Sequence, residues 1–284
     1  MRGFFLIMDN KNNTVQKPQY VLNYLHIIGC MLQSKKYVMD IYIMVKKKYK
    51  CIFFDLHFTL IAPKVSEVDF IYEMAVEMGL LFSKKTIAKA LDESWKHTDA
   101  SIHETLTDEE RYKQYWISKN IEVLKKIDSD LPDSLCLRFG EKLNYSFAND
   151  ATKFRVLEHV YTTLKKLKKQ NYRIVLVTNA LSGVRNIITS LKLGQYFDDI
   201  IISTEEGYSK PNPSIFSRVF SKYNLQPIDC LIVGDSYGSD ILAGKNCGMD
   251  TCLLRKEYQS SLVTTEDHPT YVVDSLSTFI GTIC

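Results

Sequence analysis

The chain has 284 residues, 45% of them hydrophobic and 24% charged, a composition that suits a globular protein with one large domain and an insert. Its net charge of +3 is uneven: residues 1–50 hold nine Lys and Arg against two acids, so residues 51–284 carry a net −4. With the basic surplus confined to the leader, no nucleic-acid partner is expected.

Seven cysteines occur without Cys-x-x-Cys or a paired Cys/His spacing, which argues against a disulfide framework and a zinc site and for a cytoplasmic protein. In the leader, the apolar runs at residues 4–8, 20–32 and 37–45 are too short to span a bilayer, and no signal-peptide pattern is present. No stable membrane insertion is expected. Residues 1–43 read as an extension outside the fold, a start-codon artefact in one version. The rival reading is a segment, carried by residues 20–32 and the basic run Lys46-Lys47-Lys48-Tyr49-Lys50, that docks on a membrane surface or a partner.

At Cys51-Ile52-Phe53-Phe54 an unbroken apolar run reads as a strand buried on both faces, and it runs directly into Asp55. After Pro63 the pattern turns helical. Val65, Val68, Phe70, Ile71, Met74, Ala75 and Met78 recur at helical spacing up to Gly79. A second helix is predicted over residues 83–98. A third follows Thr107-Asp108-Glu109-Glu110, where Thr107 and Glu110 fit a capping box, and runs to Ile127. A fourth follows Pro132, with Leu135, Leu137, Phe139, Leu143 and Phe147 as its apolar side. These four helices form a lid over residues 64–150, with Trp95 and Trp116 expected in its core.

From Val156 onward strands and helices alternate. Strands are predicted at 173–177, 200–202, 230–233 and 251–254, with an edge at 271–273, and helices ending in the basic run Lys165-Lys166-Leu167-Lys168-Lys169 and at 183–191, 214–223 and 241–246. The fold class is therefore α/β: a Rossmann-like doubly wound parallel sheet built from residues 44–63 and 151–284, with an inserted helical cap.

Asp55, Thr178, Lys210 and Asp235 each fall at or beyond the carboxyl end of a strand, so one fold gathers them on one rim of the sheet. A carboxylate, a hydroxyl, an ammonium and a second acidic pair suit phosphoryl transfer through an aspartyl intermediate. Asp55 is the expected nucleophile. Mg²⁺ would neutralise the phosphate, with Asp235 as a further ligand and Asp240 holding a metal-bound water or orienting Lys210. Thr178, with the backbone N–H groups that follow it, would cradle the phosphate oxygens.

These motifs resemble, in order, those of the haloacid dehalogenase superfamily. Asp55-Leu56-His57-Phe58-Thr59 is similar to the nucleophile motif DxDxT, and Val177-Thr178-Asn179 to the second motif. Ser209-Lys210-Pro211-Asn212-Pro213 is similar to the lysine motif, and Gly234-Asp235-Ser236-Tyr237-Gly238-Ser239-Asp240 to the acidic motif. The resemblance implies a hydrolase whose cap encloses small phosphorylated substrates, a metal held by Asp55, Asp235, Asp240 and the backbone carbonyl of His57, and a substrate phosphate met by Thr178, Asn179 and Lys210.

His57 departs from the pattern, since family phosphatases carry there a second aspartate that protonates the leaving group and activates water. Three readings follow. The first is a Mg²⁺-dependent phosphatase of small phosphorylated metabolites, monomeric or homodimeric, with His57 as acid and base. The second is a catalytically weak phosphate-binding or regulatory protein. The third is a 2-haloacid dehalogenase-type hydrolase, which the acidic motif disfavours.

Overall fold

A computed structural model of the chain describes residues 49–95, 108–255 and 268–283. The expectations for the leader, for Thr107, for residues 96–98 and for the side chain of Trp95 lie outside the described residues. Strand β1 (Cys51–Phe54) is fully buried, as its unbroken apolar run requires. It lies at the centre of a six-stranded sheet in which every paired neighbour is parallel.

The other strands of that sheet are β4 (Arg173–Thr178), β5 (Asp199–Ile202), β6 (Cys230–Gly234), β7 (Asp250–Leu254) and β8 (Tyr271–Val273), in the order β5-β4-β1-β6-β7-β8. The chain leaves β1 for β4 and β5 on one side, then returns to build β6, β7 and β8 on the other. The strand order therefore reverses around β1, and the crevice beyond its carboxyl end is where such sheets bind ligands. Alternate residues of each strand feed two cores. Ile52, Phe54, Ile174 and Leu231 pack on one face of the sheet, and Cys51, Phe53, Val175 and Ile232 on the other.

The cap comprises α1 (Glu67–Glu77), α2 (Lys84–Trp95), α3 (Glu109–Ile127) and α4 (Asp133–Asn149). Ser66 caps α1, its hydroxyl accepting from the Asp69 amide, and Gly79 follows the helix at φ +78°, a left-handed conformation that costs glycine little. Phe70, Met74, Ile87, Leu124 and Phe139 meet in a separate apolar core.

Asp108 caps α3, its side chain accepting from the Arg111 amide at 2.8 Å. One detail corrects the expectations for the cap. Leu137 is exposed, and the buried stripe of α4 runs through Cys136, Phe139, Gly140 and Leu143. Gly140 is selected by helix packing: a Cβ there would lie 2.9 Å from the Ile117 carbonyl oxygen on α3.

Three further elements escaped the sequence reading. Strand β2 (Ile61–Pro63) pairs antiparallel with β3 (Phe154–Val156), forming a ribbon where the chain leaves and re-enters the body. A short helix α7 (Ser203–Glu206) separates β5 from the lysine loop. A terminal helix α10 (Leu276–Ile283) buries Leu276 and Phe279. The remaining helices α5 (Val160–Lys169), α6 (Val184–Ser190), α8 (Ser217–Tyr223) and α9 (Leu242–Cys247) fall close to their predicted positions. Among the described residues, no helix is long and apolar enough to cross a membrane.

Candidate active site

Asp55 emerges one residue beyond β1, its amide donating to the Val233 carbonyl at 2.9 Å, so the sheet itself fixes its backbone. Lys210 reaches it from the loop that follows α7. The ammonium is 1% exposed and donates to Asp55 Oδ1 at 2.7 Å, Asp240 Oδ1 at 2.6 Å and the Val177 carbonyl at 3.0 Å. All three ammonium donors thus have an acceptor. Burial pulls this ammonium toward neutrality, but the carboxylates of Asp240 and Asp55 outweigh it and hold its pKa above the usual lysine value.

The loop holding Lys210 is positioned by Asn179. Its Oδ1 accepts from the Lys210 amide at 2.9 Å and its Nδ2 donates to the Lys210 carbonyl at 2.8 Å. Both ends of that amide are committed, so Asn179 positions the lysine from the end of β4. Thr178 is buried at the end of the same strand, and among the described residues its hydroxyl makes no hydrogen bond to the carboxylates or to Lys210.

The acidic motif folds around Gly234. A Cβ there would sit 2.2 Å from the Asp240 carboxyl carbon, so only glycine lets that carboxylate lie across the end of β6. Ser236 caps the following turn and its amide donates to Asp240 Oδ2 at 3.0 Å. With one oxygen on Ser236 and the other on Lys210, Asp240 is a buried strut. Thr59, fully buried, directs its hydroxyl to Asp235 Oδ1 at 3.5 Å.

The carboxylate oxygens of Asp55, Asp235 and Asp240 lie within 4.8 Å of one another. Burial, then the neighbouring charges of Asp55 and Asp240, pushes the Asp235 carboxyl up to about 7. Burial, with Asp55 beside it, raises Asp240 to about 6 against the pull of Lys210. Three carboxylates facing one ammonium leave two negative charges uncompensated, and an all-oxygen donor set fits a hard divalent cation such as Mg²⁺.

His57 does not join the hydrogen-bonded cluster. Its ring stacks on Phe147 of the cap at 5.7 Å and meets Phe154 edge-on at 5.6 Å. Its Nε2 is buried and has no hydrogen-bond partner among the described residues. Burial, with a smaller push from Lys210, lowers the imidazole to about 4, so it is uncharged at neutral pH.

Above the cluster lies a cavity of about 730 Å³, floored by His57, Lys210 and Ser236 and roofed by the cap. Two contacts hold cap and body together there. Tyr112 of α3 donates to the Asn179 carbonyl at 2.9 Å. Glu109, at the start of α3, accepts from the Ser182 amide at 3.1 Å, the Ser182 hydroxyl at 2.8 Å and the Thr204 hydroxyl at 2.5 Å. Sequence reading missed Ser236, Glu109 and Tyr112. Ser236 lay inside a quoted motif and was signalled by the turn it opens, whereas no spacing rule marks Glu109 or Tyr112 as cap-to-body contacts.

Residues 49–248 match the family model of the haloacid dehalogenase-like hydrolases. The chain is 30% identical to a glyceraldehyde 3-phosphate phosphatase of Pyrococcus furiosus over 171 residues, 55% of this chain and 71% of that one. It is also 30% identical to a phosphoglycolate phosphatase of Vibrio vulnificus over 162 residues, 55% and 69% respectively. Among solved structures, the magnesium-bound HAD hydrolase YfnB of Bacillus subtilis superposes with a TM-score of 0.65 at 19% identity, covering 84% of this chain and 99% of that one.

Proposed function

Because the chain belongs to the haloacid dehalogenase-like hydrolases, we propose that it is a phosphatase of small phosphorylated metabolites acting through an aspartyl-phosphate on Asp55. The observation that carries this reading is the Lys210 ammonium bridging Asp55 and Asp240 at the floor of a capped cavity. The clustering of Asp235 with these two carboxylates favours phosphate chemistry over the dehalogenase alternative, which resembles a metal-free site. The similarity to two phosphatases supports the same choice.

In the first step an Asp55 oxygen attacks phosphorus, the bond to the leaving oxygen breaks, and that oxygen takes up a proton. Lys210 holds Asp55 Oδ1, which leaves the second oxygen for the attack, and it offsets charge from the incoming phosphate. Mg²⁺, held by Asp55, Asp235, the His57 carbonyl and, through water, Asp240, would supply the remaining charge neutralisation. Thr178 and the amides after it would receive the other phosphate oxygens. In the second step water attacks phosphorus, the bond to Asp55 breaks, and inorganic phosphate leaves.

His57 is uncharged, so in this mechanism it serves as the base that takes a proton from the attacking water, and the leaving oxygen must be protonated from solvent. The aromatic clamp on its ring favours a second reading, in which turnover is slow and the protein chiefly retains phosphate. A panel of phosphomonoesters, with and without Mg²⁺, tests both on the wild type and His57→Asp. No phosphate release from any ester by either protein would refute the phosphatase reading. A rise of about 10²-fold or more in His57→Asp would favour the slow-turnover reading, and a fall would favour a working histidine.

A further inference from the structure

The cavity over Lys210 has a lining at odds with a small, doubly charged substrate. Phe58, Phe70, Trp116, Leu143 and Phe147 contribute apolar or aromatic surface to it. Besides Lys210, the one cation among the described lining residues is Lys119, and its ammonium already meets Glu122 at 2.9 Å. The cap therefore presents no unpaired cation, among the described residues, to a second carboxylate or phosphate. At about 730 Å³ the space is that of a drug-sized ligand.

Polar groups interrupt the apolar wall, Ser94, Asn120 and Asn144 among them, and Asn120 is committed to the Gly140 carbonyl at 3.4 Å. Asn144, on α4 beside Leu143 and one turn from Phe147, is 8% exposed and lines the cavity. Its amide makes no hydrogen bond to any described residue. That amide faces the cavity, so a ligand that displaces water from it must supply the bond or leave it unmet.

Resting on the phosphatase reading above, we infer that the substrate is a phosphomonoester whose leaving group has an apolar or aromatic body and an uncharged hydrogen-bonding group, and that Asn144 selects it by meeting that group. The phosphate lies at Lys210, the body packs between the cap aromatics, and the amide of Asn144 both donates and accepts at the far wall. Such a site rejects analogues that lack the polar group, because Asn144 is then left buried and unmet.

Three esters with closely similar leaving-group chemistry at the phosphate test this: 4-carbamoylbenzyl phosphate, benzyl phosphate and 2-phosphoglycolate, assayed for phosphate release with Mg²⁺. The wild type is expected to hydrolyse the carbamoyl ester with the highest kcat/KM, followed by benzyl phosphate and then 2-phosphoglycolate. In Asn144→Leu the preference for the carbamoyl ester over benzyl phosphate should fall by about 3- to 10-fold, the worth of one neutral hydrogen bond, chiefly through KM.

A wild type that works best on 2-phosphoglycolate overturns the inference while leaving the phosphatase reading intact. So does a variant that keeps the wild-type preference. Should Asn144→Leu fail to fold, the order of the three esters on the wild type decides alone. If none of the three is hydrolysed, the phosphomonoester panel described above separates the cases: release from an ester that lacks an apolar body overturns only the inference, and no release from any ester by the wild type or His57→Asp overturns the phosphatase reading as well.

Discussion

Replacing Lys210 by methionine removes the one cation that reconciles Asp55 and Asp240 in a water-excluded site. The methionine fills a similar volume, so the cost is almost wholly electrostatic. Two carboxylates 10% and 1% exposed at the side chain lose their partner, and the Val177 carbonyl loses a donor. Breaking a buried ion pair on one side costs about 3–5 kcal/mol, and at about 2–4 °C per kcal/mol for a body of this size Tm should fall by about 6–20 °C. The measurement is thermal unfolding by circular dichroism at pH 7 in EDTA, so that no metal substitutes for the ammonium. If the charges are responsible, the same Lys210→Met change made in an Asp55→Asn, Asp240→Asn background should cost only about 1–3 kcal/mol, the share of the unmet Val177 carbonyl. A fall below about 2 °C in the wild-type background, or an equal fall in both, would refute the account of Lys210 as the counter-charge on which the site is built.

Gly234→Ala forces a Cβ to within 2.2 Å of the Asp240 carboxyl carbon; overpacking of this kind costs about 1–3 kcal/mol, and phosphatase rate should drop by more than Tm alone explains, because Asp240 is pushed off Lys210. Glu109→Ala removes the acceptor for Ser182 and Thr204 at the cap-to-body contact. Hydrogen bonds to charged groups are worth about 1.5–3 kcal/mol when sheltered and less at this exposed position, so a KM rise of several-fold with little change in Tm is expected, and an unchanged KM would sink the role given to Glu109. Asp199 joins Arg218 at 3.1 Å and Lys222 at 2.7 Å. Burial pushes its carboxyl up, but the two cations outweigh that and leave it below the ordinary aspartate value of 3.8. A depressed pKa stabilises above the unfolded value and is lost as pH falls through the folded one, so Asp199→Asn should lower stability by about 1 kcal/mol at pH 7. That difference should shrink toward zero below pH 3.8, as followed by urea unfolding.

What could be read from sequence follows from which interactions are local. The apolar run before Asp55, the Gly234-Asp235-Ser236 turn and the lysine loop each declare a strand end within a few residues, and right-handed crossovers then leave little choice about where those ends meet. That is why Asp55, Thr178, Lys210 and Asp235 could be expected on one rim. The paired hydrogen bonds of Asn179 to the Lys210 amide and carbonyl, by contrast, depend on a side-chain geometry that no motif encodes. Glu109, Tyr112 and Asn144 escaped for a different reason: each sits on one of the two cap helices that pack closely at Gly140, and helical periodicity identifies a buried face without saying what that face touches. His57 shows the same boundary from the other side. Its type and position suggested proton transfer, while its environment is decided by Phe147, ninety residues away on the cap. The chemistry available at that position is therefore set by the packing of the cap as much as by the motif, and a substitution at Phe147 that unstacks the imidazole should change the fate of the proposed aspartyl-phosphate without touching any residue of the rim.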